Sequence, residues 1–402
     1  KKNILLNMYE NSKVSIVYGA AGTGKSTLIK HLCNFYKNNS KLCLANTNPA
    51  VENLKRNSNG ENTDCMTIYS FLSDYTFKTD YDVLIIDECS TVSNSDMKMI
   101  LEKCHFNLLL LVGDTYQIES ISYGNWFNIA KTLINNDSIH ELNMTWRSKE
   151  RKLLNLWELV RMGDDRIDEL LTKSEFSSPI NDTLLEKNNS DEIILCLNYD
   201  GLYGINNINN YLQNINTNKS ISININTYKV NDPIIFGDTT RFLPVIYNNM
   251  KGIIRNIEET DDRVWFTIEL KKAINELEIK NIDLELVDST EKISLVKFYV
   301  DKYRNADEDD DEYSSTWIVP FSIAYAVSIH KSQGLEYESV KILLTNEIDD
   351  LITHNIFYTA ITRAKKELKI FWTPECQNKI IATIKHIDDG KDACIIKNKL
   401  NF

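Results

Sequence analysis

The run Gly19-Ala-Ala-Gly-Thr-Gly-Lys-Ser26 constrains this chain more than any other feature. It follows a short apolar segment, Val14–Tyr18, and precedes a helix-length stretch, Thr27–Tyr36, so the spacing predicts strand, glycine-rich turn and helix. Glycines there let backbone N–H groups turn inward around phosphate oxygens, and the helix N-terminus adds its positive end. Gly19, Ala21, Gly22, Thr23, Gly24, Lys25, Ser26 and Thr27 are the expected nucleotide contacts. Lys25 would reach the β- and γ-phosphates, and the Ser26 hydroxyl would ligate Mg²⁺. The expected cofactors are therefore ATP and Mg²⁺.

Such a loop belongs to a parallel α/β sheet whose ligands gather at the carboxyl ends of the strands. Lys41–Leu44, Val83–Ile86 and Leu108–Val112 read as further strands, so the polar residues after each deserve the closest reading. Val83–Ile86 ends in Asp87-Glu88: Asp87 suits the metal, and Glu88 suits the water that attacks the γ-phosphate. Leu108–Val112 runs into Gly113-Asp-Thr-Tyr-Gln117, where Gln117 can sense a γ-phosphate. Arg147 and Arg363 are candidate arginine fingers; structural ion pairs are the alternative for each.

Farther along, Lys152–Arg161 reads as an amphipathic helix and Glu192–Leu197 as a buried strand. Asn206 to Asn218 reads as surface loop or polar helix. From about Ser220 to Val287 the pattern alternates, as in Val264–Ile268 and Ile279–Leu286, which predicts a small antiparallel β module. A strand at Trp317–Val319, a helix over Ser322–Lys331 and strands at Val340–Leu344 and Leu368–Trp372 are expected to follow.

With 402 residues and 43% hydrophobic content, the chain can pack two or three domains. A net charge of −12 argues mildly against a polyanionic partner, although the unbroken block Asp307–Glu312 reads as a solvated loop and leaves the cations spread elsewhere. Eight cysteines without a CxxC pair read as buried free thiols rather than a zinc or iron–sulfur site. No apolar run is long enough to cross a bilayer and no secretory core opens the chain, so a cytoplasmic location without membrane contact is expected.

Taken together and in order, these segments resemble the motifs of superfamily 1 helicases. Motif I resembles Gly19–Thr27, motif Ia Ala45–Ala50, motif Ic Thr67–Phe71, motif II Ile85–Ser90 and motif III Val112–Gln117. Motif IV resembles Asn143–Ser148, motif V Ser328–Glu336 and motif VI Phe357–Lys365. His330-Lys-Ser-Gln-Gly334 and Tyr358-Thr-Ala-Ile-Thr-Arg-Ala364 look like the RecD-like branch. The resemblance implies two RecA-like parallel-sheet α/β motor domains with a small SH3-like β insertion in the second. The boundaries expected are 1–145, then 146–219 with 313–402, and 220–312 for the insertion. ATP would bind between the motor domains, with Gly334 and Glu336 contributing to the nucleotide site.

The activity implied is ATP-driven movement, 5′ to 3′, on single-stranded DNA. Thr47, Asn48, Thr67, Tyr69, Ser328 and His330 would grip the strand, and Tyr69 or Trp126 could stack bases. Only Val51–Met66 separates motif Ia from motif Ic, so the strand-splitting hairpin of the family is expected to be minimal or absent. The family's adenine-contacting Gln has no counterpart in residues 1–13. An RNA helicase of the same superfamily, or an ATPase switch within a larger complex, remains an alternative, and a protein partner or fused domain is compatible with each.

Overall fold

The computed structural model describes residues 13–58, 62–118, 124–186, 191–237, 239–303, 316–347, 351–384 and 399. The acidic block 307–312 lies outside them, as do residues 1–12. The chain groups into two compact units, Lys1–Ile180 with Gln333–Phe402, and Asn181–Ser332.

The first unit opens with β1 (Val14–Gly19), β2 (Lys41–Ala45), β3 (Thr63–Thr67), β4 (Asp80–Ile86), β5 (His105–Gly113) and β6 (Ile139–Leu142). They form one sheet in the order β3-β2-β4-β5-β1-β6, and every pair is parallel. The apolar runs explain why. Leu84, Ile85 and Ile86 are fully buried, as strands covered on both faces must be. One face packs on the helices Lys25–Phe35 and Asn48–Asn57 through Leu28, Leu32, Val51 and Leu54. The other packs on Ile68–Ser73, Asn94–Lys103 and Trp126–Leu133 through Phe71, Ile100 and Phe127. Each such side chain contributes about 1.5–3 kcal/mol of burial. Because β4, β5 and β1 are neighbours, the turns after all three emerge at one edge. Among the described residues no β-hairpin lies between the Asn48–Asn57 helix and β3. The helices Arg151–Met162 and Ile167–Lys173 and the short β7 (Ser177–Ser178) complete this stretch.

In the second unit, β8 (Glu192–Cys196) precedes the helix Ile205–Ile215 and the hairpin of β9 (Ser220–Ile223) and β10 (Asn226–Lys229). The Asn-rich stretch is thus mostly helix. Next come β11 (Pro233–Phe236), β12 (Lys251–Glu259), β13 (Arg263–Leu270), β14 (Glu285–Ser289), β15 (Ser294–Asp301) and β16 (Phe321–Ile323). These form an antiparallel sheet ordered β14-β15-β13-β12-β11-β16. The expected β module is present, and its core is aromatic: Phe236, Phe242, Phe266, Phe298 and Phe321 pack with Ile254, Ile268 and Val296. Three local expectations fail. Ile279–Leu286 is not one strand, because Asn275 and Glu278 form a capping box that starts a helix at Glu276–Ile279. Trp317–Val319 is turn and bend, and Ser322–Lys331 is not a helix. It holds β16, which pairs with β11, and β17 (Ala326–Ser328), which runs parallel to β8. The Asn209 side chain fixes β17 by exchanging two hydrogen bonds with the Ala326 backbone, at 2.8 and 3.0 Å.

The chain then returns to the first unit with β18 (Tyr337–Leu343), the helix His354–Ile361, β19 (Ala364–Phe371) and the helix Pro374–Thr383. β18 pairs parallel to β19, and β19 to β7. Among the described residues no helix is long and apolar enough to cross a membrane.

Candidate functional site

A cavity of about 300 Å³ opens in the first unit where β1, β4 and β5 end. Ala21 to Thr27, Asp87, Glu88, Asp114, Gln117, Arg147, Gly334, Glu336 and Arg363 line it. The structure therefore brings together every expected catalytic and metal residue and all the expected nucleotide contacts but Gly19. Gly19 lies behind the loop, where a Cβ would stand 2.7 Å from the Leu142 carbonyl oxygen and from Thr23 Oγ1.

The loop is shaped by its own backbone. Gly22 has φ 75°, and a Cβ there would come within 2.2 Å of Arg147 Cβ. That approach is closed by the Trp146 N–H, which donates to the Gly22 carbonyl at 2.7 Å. Gly24, at φ 85°, caps the Lys25–Phe35 helix without any side-chain bond, so no side chain caps the first N–H groups of that helix, whose first residues line the cavity. Lys25 Nζ donates to the carbonyls of Gly19 at 2.7 Å and Ala20 at 3.0 Å. Burial pulls its pKa down, and Asp114 and Asp87 push it back up.

Two carboxylates follow β4. Burial raises the pKa of Asp87, whose Oδ1 accepts the Glu88 N–H at 2.9 Å. Burial, with Asp87 alongside, raises Glu88 to about 7. Glu88 also sits at φ 54°, a conformation that a side chain of this kind adopts at a cost of about 1–3 kcal/mol and that clusters at functional sites. Thr47 Oγ1 donates to Glu88 Oε2 at 3.4 Å while also capping the Asn48–Asn57 helix. Thr47, expected as a strand contact, thus touches the expected base.

The arginines close the far side. Arg147 pairs with Glu336 at 2.6 Å and donates to the Thr362 carbonyl at 3.1 Å. Burial tends to raise Glu336, but Arg147 and Lys365 outweigh it and hold the carboxyl low. Arg363 is buried and donates to the carbonyls of Thr359 and Leu335. Burial and then Arg147 lower its pKa to about 10.

Sequence reasoning missed several residues here. Asp114 is buried and its Oδ2 has no hydrogen-bond partner, an orphan that a ligand or water would satisfy. Trp146 lines the cavity with 69% of its surface exposed. Tyr358 is fully buried, and its hydroxyl accepts the Ala21 N–H at 3.4 Å. Position after β5 could have drawn attention to Asp114; nothing local marks the role of Tyr358.

The other strand-contact candidates are distributed. Thr67 caps the Ile68–Ser73 helix, and Tyr69 on that helix is 80% exposed. Asn48 opens the Asn48–Asn57 helix. Trp126 is placed differently: its indole N–H donates to the Val92 carbonyl at 2.8 Å, and its ring lines an apolar cavity with Val14, Met97 and Ile129. Ser328 and His330 belong to the second unit; Ser328 is buried and accepts the Lys331 N–H at 3.1 Å, whereas His330 is exposed.

The donor set suits a magnesium nucleotide. Hard oxygen ligands, the Ser26 hydroxyl and the Asp87 carboxylate, line one cavity with Lys25 and two arginines. Among the described residues no cluster of three His, Cys, Asp or Glu could hold a metal by itself, so the ion would share phosphate oxygens and water.

Residues 2–178 match a family described as AAA domain, and residues 323–370 match the UvrD-like helicase C-terminal domain. The chain is 26% identical over 365 residues to the RecBCD enzyme subunit RecD of Buchnera aphidicola, covering 87% of this chain and 47% of that protein. It is 23% identical over 437 residues to the ATP-dependent DNA helicase Pif1 of Campylobacter jejuni, covering 91% and 89%. An uncharacterised protein of Methanocaldococcus jannaschii is 23% identical over 476 residues, covering 95% of this chain and 38% of its own length. The chain thus spans less than half of two of these relatives. Among solved structures, a Bacteroides Pif1 helicase with ADP-AlF3 and ssDNA superposes with TM-score 0.59 at 16% identity, covering 99% and 97% of the two chains. The Candida albicans Pif1 helicase superposes with TM-score 0.61 at 15% identity, covering 100% and 98%. The fold is the RecA-like α/β fold of those helicases.

Proposed function

We propose, from the premise that the chain is a RecD/Pif1-like helicase of superfamily 1, that it hydrolyses ATP to move 5′ to 3′ on single-stranded DNA. One observation carries the hydrolysis: Lys25, Asp87, Glu88, Gln117, Arg147 and Arg363 line a single cavity around a phosphate-binding loop.

In this reading the loop N–H groups and Lys25 hold the β- and γ-phosphates. Glu88 takes a proton from the attacking water as the bond to the γ-phosphorus forms and the bond to the ADP oxygen breaks. Arg147 and Arg363 stabilise the charge that develops on the transferred group. Held by Ser26 and Asp87, Mg²⁺ would neutralise charge on the phosphate oxygens. Glu336 is the resting counter-ion of Arg147 and gives way when a phosphate offers a better one. Gln117 reports the γ-phosphate. Thr47, Asn48, Thr67 and Tyr69 hold the strand through hydroxyl, amide and aromatic contacts that do not read sequence, and Ser328 and His330 are the strand contacts assigned to the second unit. The Thr47–Glu88 hydrogen bond gives strand occupancy a direct route to the base. The β module is read as an SH3-like insertion in the second motor domain, and the location proposed is the cytoplasm.

The test is ATP turnover with and without single-stranded DNA or RNA, combined with strand displacement on duplexes carrying a 5′ or a 3′ tail. The expected result is turnover stimulated by DNA and displacement from the 5′ tail. No stimulation by either polymer would leave an ATPase switch; stimulation by RNA alone would reassign the track.

A further inference from the structure

Thr359 is fully buried within the helix His354–Ile361. Threonine is a poor residue for a helix interior, and a valine would fill the same volume. Its hydroxyl therefore calls for a reason, and the contacts supply one. Thr359 Oγ1 accepts the Ile118 N–H at 3.0 Å, across 241 residues of sequence. Ile118 is buried and directly follows Gln117, so this bond anchors the loop that bears the proposed phosphate sensor. The carbonyl of the same Thr359 accepts Arg363 Nε at 2.9 Å and the Thr362 hydroxyl at 3.0 Å. One residue thus holds the sensor loop through its side chain and the arginine finger through its backbone. Its neighbour Tyr358 takes the Ala21 N–H of the phosphate loop, and the Tyr358 and Tyr116 rings meet edge to face at 6.3 Å.

We infer that Thr359 is a positioning residue that couples the Gln117 loop to Arg363, so that the guanidinium is set in place only when the sensor loop is seated. The inference rests on the hydrolytic reading of Gln117 and Arg363. A buried N–H must find an acceptor, so the Ile118 bond has no cheap alternative. The helix turn from Tyr358 to Thr362 lies between two loops that both face the phosphate cavity, and displacement of either is passed to the backbone that orients Arg363.

The experiment is a kinetic cycle on the full chain with ATP and single-stranded DNA, using Thr359→Val, Thr359→Ser, Gln117→Ala, Arg363→Ala and the Thr359→Val/Gln117→Ala pair. Thr359→Val should lower kcat about ten- to a hundredfold, the scale of a small misplacement, with KM for ATP held within about twofold. Thr359→Ser restores the acceptor and should restore kcat. In the Gln117→Ala background Thr359→Val should cost less than in the parent, because the loop it positions no longer carries a sensor and only the setting of Arg363 is left to lose. An equal fractional loss in both backgrounds, a serine variant as slow as valine, or a valine variant at the parent rate would overturn the relay. If Gln117→Ala and Arg363→Ala themselves turn over like the parent, the hydrolytic reading falls first. If they are slow and Thr359→Val is additive, only the relay falls.

Discussion

The edge of the parallel sheet in the first unit and the antiparallel β module of the second use their residues in opposite ways. In β4 the run Val83–Ile86 is buried on both faces, and its chemistry is deferred to Asp87 and Glu88 where the strand ends. In β13 alternate residues, Val264, Phe266, Ile268 and Leu270, are fully buried. Those between them carry the outward face, where Arg263 meets Asp301 and Glu269 meets Arg255, both at 2.8 Å. The module is finished by its own side chains. The sheet edge is not: Asp114 Oδ2 lacks a partner, Glu88 holds a left-handed backbone, and the helix N-terminus at Gly24 carries no side-chain cap. Such incompleteness costs stability: the helix N-terminus is completed by anionic ligand oxygens, and Asp114 Oδ2 by a donor such as water.

The largest break in that contrast should come from Lys25→Ala. It removes the only ammonium among the residues that line the cavity, and turnover should fall to background in a phosphate-release assay. Near-parental turnover would mean that the loop is structural. Next in size is Glu88→Gln, which keeps shape and burial but cannot accept the proton. ATP binding should persist, read by fluorescent-nucleotide titration, while kcat falls about 10²–10⁴-fold. Loss of binding instead would assign Glu88 to the architecture of the loop.

The same contrast explains what could be read from sequence. Apolar runs that end in glycine or paired carboxylates disclosed β1, β4 and β5 with Lys25, Ser26, Asp87, Glu88 and Gln117, because each signal lies within a few adjacent residues; β3 and β6 carry no such ending and were not read. The segment Ser322–Lys331 misled for the opposite reason. Its apolar density suits a helix, but β16 and β17 are short strands fixed by partners far away in sequence, Ile234–Phe236 and Ile194–Cys196. Trp317–Val319, read as a strand, is turn and bend. Thr359 and Tyr358 were equally invisible as positioning groups, since their hydrogen bonds reach residues 241 and 337 positions away. Trp126 shows the limit for aromatic residues: composition offers a stacking ring, and only packing reveals that its N–H already serves the Val92 carbonyl. The expected division at residue 145 rested on family likeness, and that at residue 219 also on the alternating pattern that begins near Ser220.

The smallest effect should come from the β module itself. Phe298 is almost fully buried, with its ring centroid 4.8 Å from that of Phe242 and 6.2 Å from those of Phe236, Phe266 and Phe321. Phe298→Leu retains an apolar side chain but loses ring contacts and some volume, at a cost of about 1–3 kcal/mol. The thermal midpoint should drop by about 1–4 °C, while ATP turnover at 25 °C stays within about twofold of the parent. Arg263→Ala, which removes only a half-exposed ion pair and its stacking on Tyr299, should cost about 1 kcal/mol or less. If Phe298→Leu lowered turnover at a temperature where the chain is folded, the module would be more than packed scaffold. Its interior would then have to feel the nucleotide cycle, and the division between a satisfied module and an unsatisfied sheet edge would no longer hold.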